Sequence, residues 1–342
     1  MKVTIKDVAR AAGVSASTVS RALRNHERIS PEVRQRVQEV AQEMNFHPNQ
    51  MARSLVRRES HIVGIVFPGD MGQSLGHPFY PSVLQGLGQA ASKRRYDLLL
   101  ATGTEDITPA DAARKLVNSG YVSGLILLAA QDAPAGQLGV PTVVVGHPSG
   151  DHTPYYVDNN NVEAGRQAAE YLIRYGHRRI LFMGYDSEFM VTSDRCRGYR
   201  EALEKNGISV REDWIVASRF MHNTTDGDLL QFVFRQPDRP TAAVCMDDEQ
   251  AIAMTGLLGR MGLRVPDDVS LISFNNTVMG QYHHPALTSF DVNAFELGVS
   301  AMNLMLDVIA EEICEPTAIE VPFYLAERSS VARWTDEKEE VR

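Results

Sequence analysis

Two groups of residues in this sequence have types and spacing suited to chemistry. The first is Ser15-Ala16-Ser17-Thr18-Val19-Ser20-Arg21. Ser15 is a good helix N-cap, and Ala16, Ser17 and Arg21 then share one face of a helix running to about Leu23. Short side chains let a helix backbone approach the DNA major groove, where arginine reaches guanine O6 and N7 or a phosphate. Ser15, Thr18 and Ser20 suit phosphate contacts, which the helix dipole favours. The second group is dispersed: H-P-F-Y-P at 77–81, Y-Y-V-D-N-N-N at 155–161, T-S-D-R at 192–195, C-M-D-D at 245–248 and F-N-N at 274–276. Most of these motifs sit where an apolar run ends. Asn side chains that both donate and accept hydrogen bonds, with rings such as Phe79 and Tyr80 to stack on C–H faces, suit a polyhydroxyl ligand.

Other motifs lead nowhere. Gly72-Gln73-Ser74-Leu75-Gly76 has the G-x-S-x-G pattern of a hydrolase nucleophile, but Pro78 and Pro81 follow at once and the stretch reads as loop. His283-His284 lacks a third ligand at metal-binding spacing. Residues 158–161 resemble part of a Ca²⁺ loop, yet Val162 stands where glycine is required. Cys196, Cys245 and Cys314 match neither a disulfide framework nor a zinc site and read as buried, reduced thiols. No catalytic constellation, metal site or cofactor is expected.

The first group requires a small helical head. Thr4 can cap a helix that has Asp7 at the capping-box position, and Gly13 breaks it. After the Ser15 helix, Ser30-Pro31-Glu32 opens a third, with Val33, Val37, Val40, Ala41 and Met44 on one stripe. Two helices across a tight glycine turn, then a supporting third, make a helix-turn-helix over 1–46. His47-Pro48 breaks the chain before a short basic hinge helix and linker in 47–60, a helix too short to stay folded without a partner helix or DNA.

The second group requires a sheet. Apolar strands at 62–67, 98–101, 124–128, 142–145, 180–183, 242–246 and 269–274 alternate with helical stretches at 81–95, 162–175, 195–206 and 248–261. Such alternation builds doubly wound parallel sheets. The length of 61–328 calls for two α/β lobes: 61–160 with 292–328, and 161–291, crossed near 157–161 and 288–294. A charged tail is expected over 329–342, fraying from Arg333.

Charge separates the parts. Residues 1–58 hold eleven Lys and Arg against five Asp and Glu, a formal +6, within a chain of net charge −9. The remaining residues carry the balance of −15. A basic head on an acidic body implies that only the head binds a polyanion. No window has the ~18 apolar residues of a membrane span, and residues 1–7 lack an apolar leader core, so a cytoplasmic protein is expected.

These motifs resemble the LacI/GalR family of bacterial regulators. The similarity is carried by T-I-K-D-V-A, G-V-S-x-S-T-V-S-R, Met44-Asn45-Phe46-His47-Pro48-Asn49 and Ala52-Arg53-Ser54-Leu55, and it continues to about Arg328. The body motifs are most similar to the maltose-repressor branch. The resemblance implies a two-lobed, periplasmic-binding-protein-like body and a homodimer on operator DNA. It implies that Thr4, Ser15, Ala16, Ser17, Thr18, Ser20, Arg21, Asn25, Asn49, Ala52, Arg53 and Leu55 face DNA, Leu55 as a minor-groove wedge. It implies that His77, Phe79, Tyr80, Asp158, Asn159, Arg195, Asp247 and Asn275 contact a sugar, maltose or a maltodextrin, with Asp248 as a helix cap. Asn275-Asn276 departs from the family, which usually has aspartate at one or both positions; the change favours a neutral ligand. Three alternatives stay open: a corepressor- or phosphocarrier-dependent regulator, an activator, and a cytosolic sugar-binding protein without operator function.

Overall fold

The computed structural model describes residues 3–23, 25–46, 60–69, 71–103, 107–128, 138–148, 155–185, 189–217 and 224–335. The chain divides into two compact units, Met1–Ser60 and His61–Arg342.

The first unit packs α1 (Ile5–Ala12), α2 (Ala16–Ala22) and α3 (Pro31–Glu43) around Val8, Ala12, Val19, Ala22 and Val37. The Asp7 carboxylate accepts from the Thr4 amide at 3.0 Å and from its hydroxyl at 2.6 Å. Gly13 takes a left-handed turn (φ 67°) that a β-carbon would strain. Ser15 Oγ accepts from the Thr18 amide, and Ser30 Oγ from Val33. Each cap satisfies an amide that the first helical turn leaves open.

The second unit has two six-stranded sheets. The first follows the order β11-β5-β4-β3-β1-β2, all parallel: β1 Ile62–Val66, β2 Asp97–Ala101, β3 Gly124–Leu128, β4 Thr142–Val145, β5 Tyr155–Asp158 and β11 Thr317–Glu320. The second follows β12-β10-β9-β8-β6-β7: β6 Ile180–Gly184, β7 Ile215–Ala217, β8 Ala242–Cys245, β9 Ser270–Phe274, β10 Thr288–Asp291 and β12 Tyr324–Ala326. Only β12 runs antiparallel to its neighbour. Central strands β3, β6, β8 and β9 are buried along their whole length, as helices on both faces demand.

In the first lobe α4 (Met71–Gly76), α5 (Phe79–Lys93), α6 (Pro109–Asn118) and α12 (Ala294–Ile309) accompany the sheet. In the second these are α7 (Asn161–Arg174), α8 (Met190–Lys205), α9 (Thr224–Phe234), α10 (Asp248–Arg260) and α11 (Val278–Tyr282). Helices α7 and α8 touch backbone to backbone: a methyl group on Gly165 would strike the Arg195 carbonyl, and one on Gly198 that of Val162. This approach sets Arg195 against the start of α7.

Several sequence expectations are corrected. The chain crosses between the lobes three times, at 158–161, 291–294 and 320–324, not twice. β12, expected in the first lobe, pairs with β10 in the second. Short strands β5, β7, β10, β11 and β12 lack the long apolar run that reveals a central strand. Helix α8 begins five residues before 195. Residues 71–76 are helical rather than loop, and Ser74 stands inside that helix, not at a strand-to-helix turn. The expected tail is packed as far as Trp334: Ser330 is buried and its hydroxyl donates to Leu271, while the Trp334 amide donates to Tyr175. Cys245 is buried, but Cys196 is half-buried and Cys314 exposed.

Asn159 ties the three crossings together. Its Nδ2 donates to the Val292 carbonyl at 3.0 Å and to the Val321 carbonyl at 2.8 Å, one in each of the other two segments. Asn159→Asp would set a carboxylate against two buried carbonyls. Stranding buried polar groups costs about 1–3 kcal/mol each, so a loss of about 3 kcal/mol in unfolding free energy is expected. Denaturant melts check this, and an unchanged midpoint would show that the staple is immaterial.

Candidate ligand cleft and nucleic-acid interface

On the first unit, Thr4, Ser15, Ser17, Arg21 and Asn25 are exposed, and Ala16, Thr18 and Ser20 are half-buried. The Ser15 hydroxyl lies 2.8 Å from those of both Ser17 and Thr18, a linked polar rim at the start of α2. Arg21 stands one turn beyond Ser17 on the same face. Asn25 takes a left-handed conformation (φ 56°), and its Oδ1 accepts from Gln38. The arrangement offers hydroxyls, a helix start and a guanidinium to a phosphate backbone or groove edge. Asn49, Ala52, Arg53 and Leu55 lie outside the described residues.

The second unit has a cavity of about 560 Å³ where the strand ends of its two lobes meet. This lies within the range of small-molecule sites and at the edge that open α/β sheets use for ligands. All eight predicted contact residues line it: His77, Phe79, Tyr80, Asp158, Asn159, Arg195, Asp247 and Asn275. They come from both lobes. β1 and the chain to α5 bring His77, Phe79 and Tyr80, and β5 ends on Asp158. α8 supplies Arg195, β8 leads into Asp247, and β9 into Asn275. Sequence reasoning missed Tyr185, Phe189, Glu249 and Gln250 in the lining. Tyr185 directly follows β6, and that position at a strand end was the available signal.

Arg195 is fully enclosed. Its Nε donates to Asn161 Oδ1 at 2.9 Å, its Nη1 to the Met246 carbonyl at 2.9 Å, and its guanidinium lies 3.9 Å from the Phe274 ring centre. Burial lowers its pKa to about 10, so it stays cationic at neutral pH. Asp158 accepts from the Asn159 amide and from Asn161, yet burial raises its pKa to about 6. Asn159, although in the lining, spends its amide nitrogen on the crossings.

Asp247 bridges the lobes. Its Oδ2 accepts from Tyr185 and lies 3.1 Å from His77 Nε2; its Oδ1 accepts from the Gln250 amide at 2.8 Å. Asp247 is therefore the α10 cap, not Asp248. Burial opposes charge on both partners, but the pairing outweighs it. His77 titrates above the ordinary histidine range, and Asp247 below the ordinary carboxylate range. Burial raises the Tyr80 phenol to about 12, which keeps it neutral.

Asp248 is instead a buried anchor. Its carboxylate accepts from Ser273 Oγ (2.5 Å), Ser289 Oγ (2.7 Å), the Thr277 amide (2.5 Å) and Thr277 Oγ1 (2.8 Å). It joins the start of α10 to β9, β10 and α11, and thereby fixes the strand end that carries Asn275.

Among the described residues no three His, Cys, Asp or Glu side chains are grouped to hold a metal ion. No helix among them is long and apolar enough to cross a membrane.

Comparison with known proteins agrees with this division. Residues 4–49 match the family of bacterial regulatory proteins of the lacI type, and residues 169–331 match the periplasmic binding protein-like domain. The transcriptional regulator MalR of Streptococcus pneumoniae serotype 4 is 33% identical over 317 residues, covering 90% of this chain and 93% of MalR. The solved complex of the transcriptional regulator CelR with cellobiose is similar with a TM-score of 0.74 and 27% identity, over 96% of this chain and 99% of that one. The Lac repressor dimer bound to operator and the anti-inducer ONPF shares the fold (TM-score 0.83, 22% identity, 97% and 100% coverage).

Proposed function

The chain belongs to the lacI family of bacterial regulatory proteins and is a DNA-binding transcriptional regulator; from that premise we propose a homodimeric repressor, released from its operator by maltose or a short maltodextrin. The observation that carries the ligand reading is the cavity lining. Phe79, Tyr80 and Tyr185 offer ring surface, while Arg195, Asp247, Glu249, Gln250 and Asn275 surround it with hydrogen-bonding groups. A neutral polyhydroxyl molecule can use both, and asparagine at 275 and 276 keeps two further carboxylates out. Two heads, each presenting the Ser15–Arg21 face, would read half-sites of a pseudo-palindrome. Sugar binding would change the angle between the lobes and part the segments that carry Leu55, at a coupling cost of a few kcal/mol.

Calorimetric titration with maltose, maltotriose, cellobiose, galactose, ribose and guanine tests the ligand. DNA selected by the protein from a random pool, followed by gel shift, tests its consequence. Heat with maltose or maltotriose, and loss of the shifted band on adding that sugar, are expected. Heat with guanine alone would refute the ligand. A band strengthened by sugar would reverse the sign of regulation. DNA affinity that does not fall with rising salt would refute phosphate binding by the head.

A further inference from the structure

Two histidine–aspartate pairs span the cleft with the same polarity. His77, between α4 and α5, pairs with Asp247 of the second lobe at 3.1 Å. His147, just past β4, pairs through Nδ1 with Asp194 Oδ2 of α8 at 3.2 Å. Each histidine belongs to the first lobe and each aspartate to the second. Both aspartates are nearly shut off from solvent, with side chains 2% and 7% exposed, while His77 and His147 are 20% and 43% exposed. Neither His147 nor Asp194 lines the cavity, but each directly adjoins a residue that does, Gly146 and Arg195.

We propose that the two pairs form a clasp between the lobes, proton-controlled at His77 and Asp247, in which His147 and Asp194 are positioning residues that set how firmly the cleft closes. The clasp regulates the cleft assigned above to a sugar, and so rests on that reading for its biological use, though not for its existence. The physical basis is linkage: a group that binds its proton more tightly with the lobes together is a group whose protonation draws them together.

The surroundings support this sign. His77 faces Asp247, and Glu249 and Asp248 also favour its cationic form. Tyr185 shares the Asp247 oxygen, and the rings of Phe79 and Tyr80 flank the imidazole at 6.5 and 5.8 Å. His147 faces Asp194, whose other oxygen accepts from Arg197 at 3.0 Å. Asp158 lies within electrostatic reach of His147, and the Tyr156 ring packs at 5.9 Å. The folded pKa of His77 lies above its unfolded value. Its contribution to closure is therefore full below the unfolded value and is lost as pH rises through the folded one. The His147–Asp194 pair adds a second tie across the same hinge, at a different place along the lobe edge.

The test measures the distance between lobes without any ligand. Spin labels on Cys314, exposed on the first lobe, and on Glu201→Cys, exposed on α8, report it in the full chain. The wild-type distance is expected to lengthen as the pH rises from about 6 to about 8, within the span over which histidine loses charge. His147→Gln should lengthen it at the lower pH. His147→Lys, which keeps a cation throughout, should shorten it at the higher pH relative to wild type. Circular dichroism confirms that both variants are folded. A wild-type distance equal at the two pH values, or both variants matching wild type at both, would overturn the clasp. In the same pH interval, maltose affinity should fall roughly 5–10-fold in wild type. A distance that responds to pH in a protein that binds no maltodextrin would keep the clasp and refute the ligand; maltose binding with an unresponsive distance would do the reverse.

Discussion

Asp248→Ala should lower the melting temperature of the second unit by roughly 10 °C, the largest stability loss of any single substitution considered. The reason is the number of donors left behind. Two serine hydroxyls, a threonine hydroxyl and a backbone amide all point at this one carboxylate, and the site is sealed from water. A stranded buried donor costs about 1–3 kcal/mol, though hydroxyls can turn toward other acceptors. A net loss of about 4 kcal/mol is therefore expected, and each kilocalorie is worth about 2–4 °C in a domain of this size. Gly280 leaves little room for a larger replacement, because a methyl there would sit 2.7 Å from Asp248 Oδ2. Scanning calorimetry checks the value. A shift of a degree or less would mean that water enters and satisfies the donors.

Arg195→Lys should weaken binding of the maltodextrin proposed as ligand about 100-fold while the chain stays folded. The guanidinium is held from three sides, by Asn161, by the Met246 carbonyl and by the Phe274 ring. Among the described residues its Nη2 makes no hydrogen bond, which leaves that nitrogen for a ligand. Lysine keeps the charge but not the planar fork, so it cannot hold Asn161 and Met246 and still point a donor pair into the cavity. Two lost charge-assisted hydrogen bonds at about 1.5 kcal/mol each amount to about two decades in affinity. Calorimetry reads the affinity and circular dichroism the fold. Wild-type affinity in the lysine variant would move the ligand's anchor elsewhere in the cleft, to Asp247 or Asn275.

Asp247, Asp248 and Asn159 show where sequence patterns reach their limit. Asp247 and Asp248 are adjacent, and either could cap α10 by type alone. The backbone turn at the end of β8 gives the cap to Asp247 and turns Asp248 inward toward partners 25 to 41 residues away in sequence. Asn159 sits in a polar run that reads as ligand chemistry. Its nitrogen is nevertheless committed to Val292 and Val321, more than 130 residues later, because three crossings converge there. The third crossing escaped notice because β11 and β12 are four and three residues long. Such edge strands draw stability from pairing rather than from an apolar run of their own.

By itself the sequence determined what local chemistry controls. Caps at Thr4, Ser15 and Ser30, with the left-handed glycine between α1 and α2, set the helices of the head. Its excess of arginine set its affinity for a polyanion. Buried apolar runs at β3 in one sheet and at β6, β8 and β9 in the other set their parallel cores. Only the tertiary structure decided which strand ends face each other across the cleft. It brought eight residues spread from His77 to Asn275 around one cavity. It also set His77 against Asp247 and His147 against Asp194. Those pairings join residues 170 and 47 positions apart, and no local propensity encodes them. They follow from the three crossings that fix one lobe over the other.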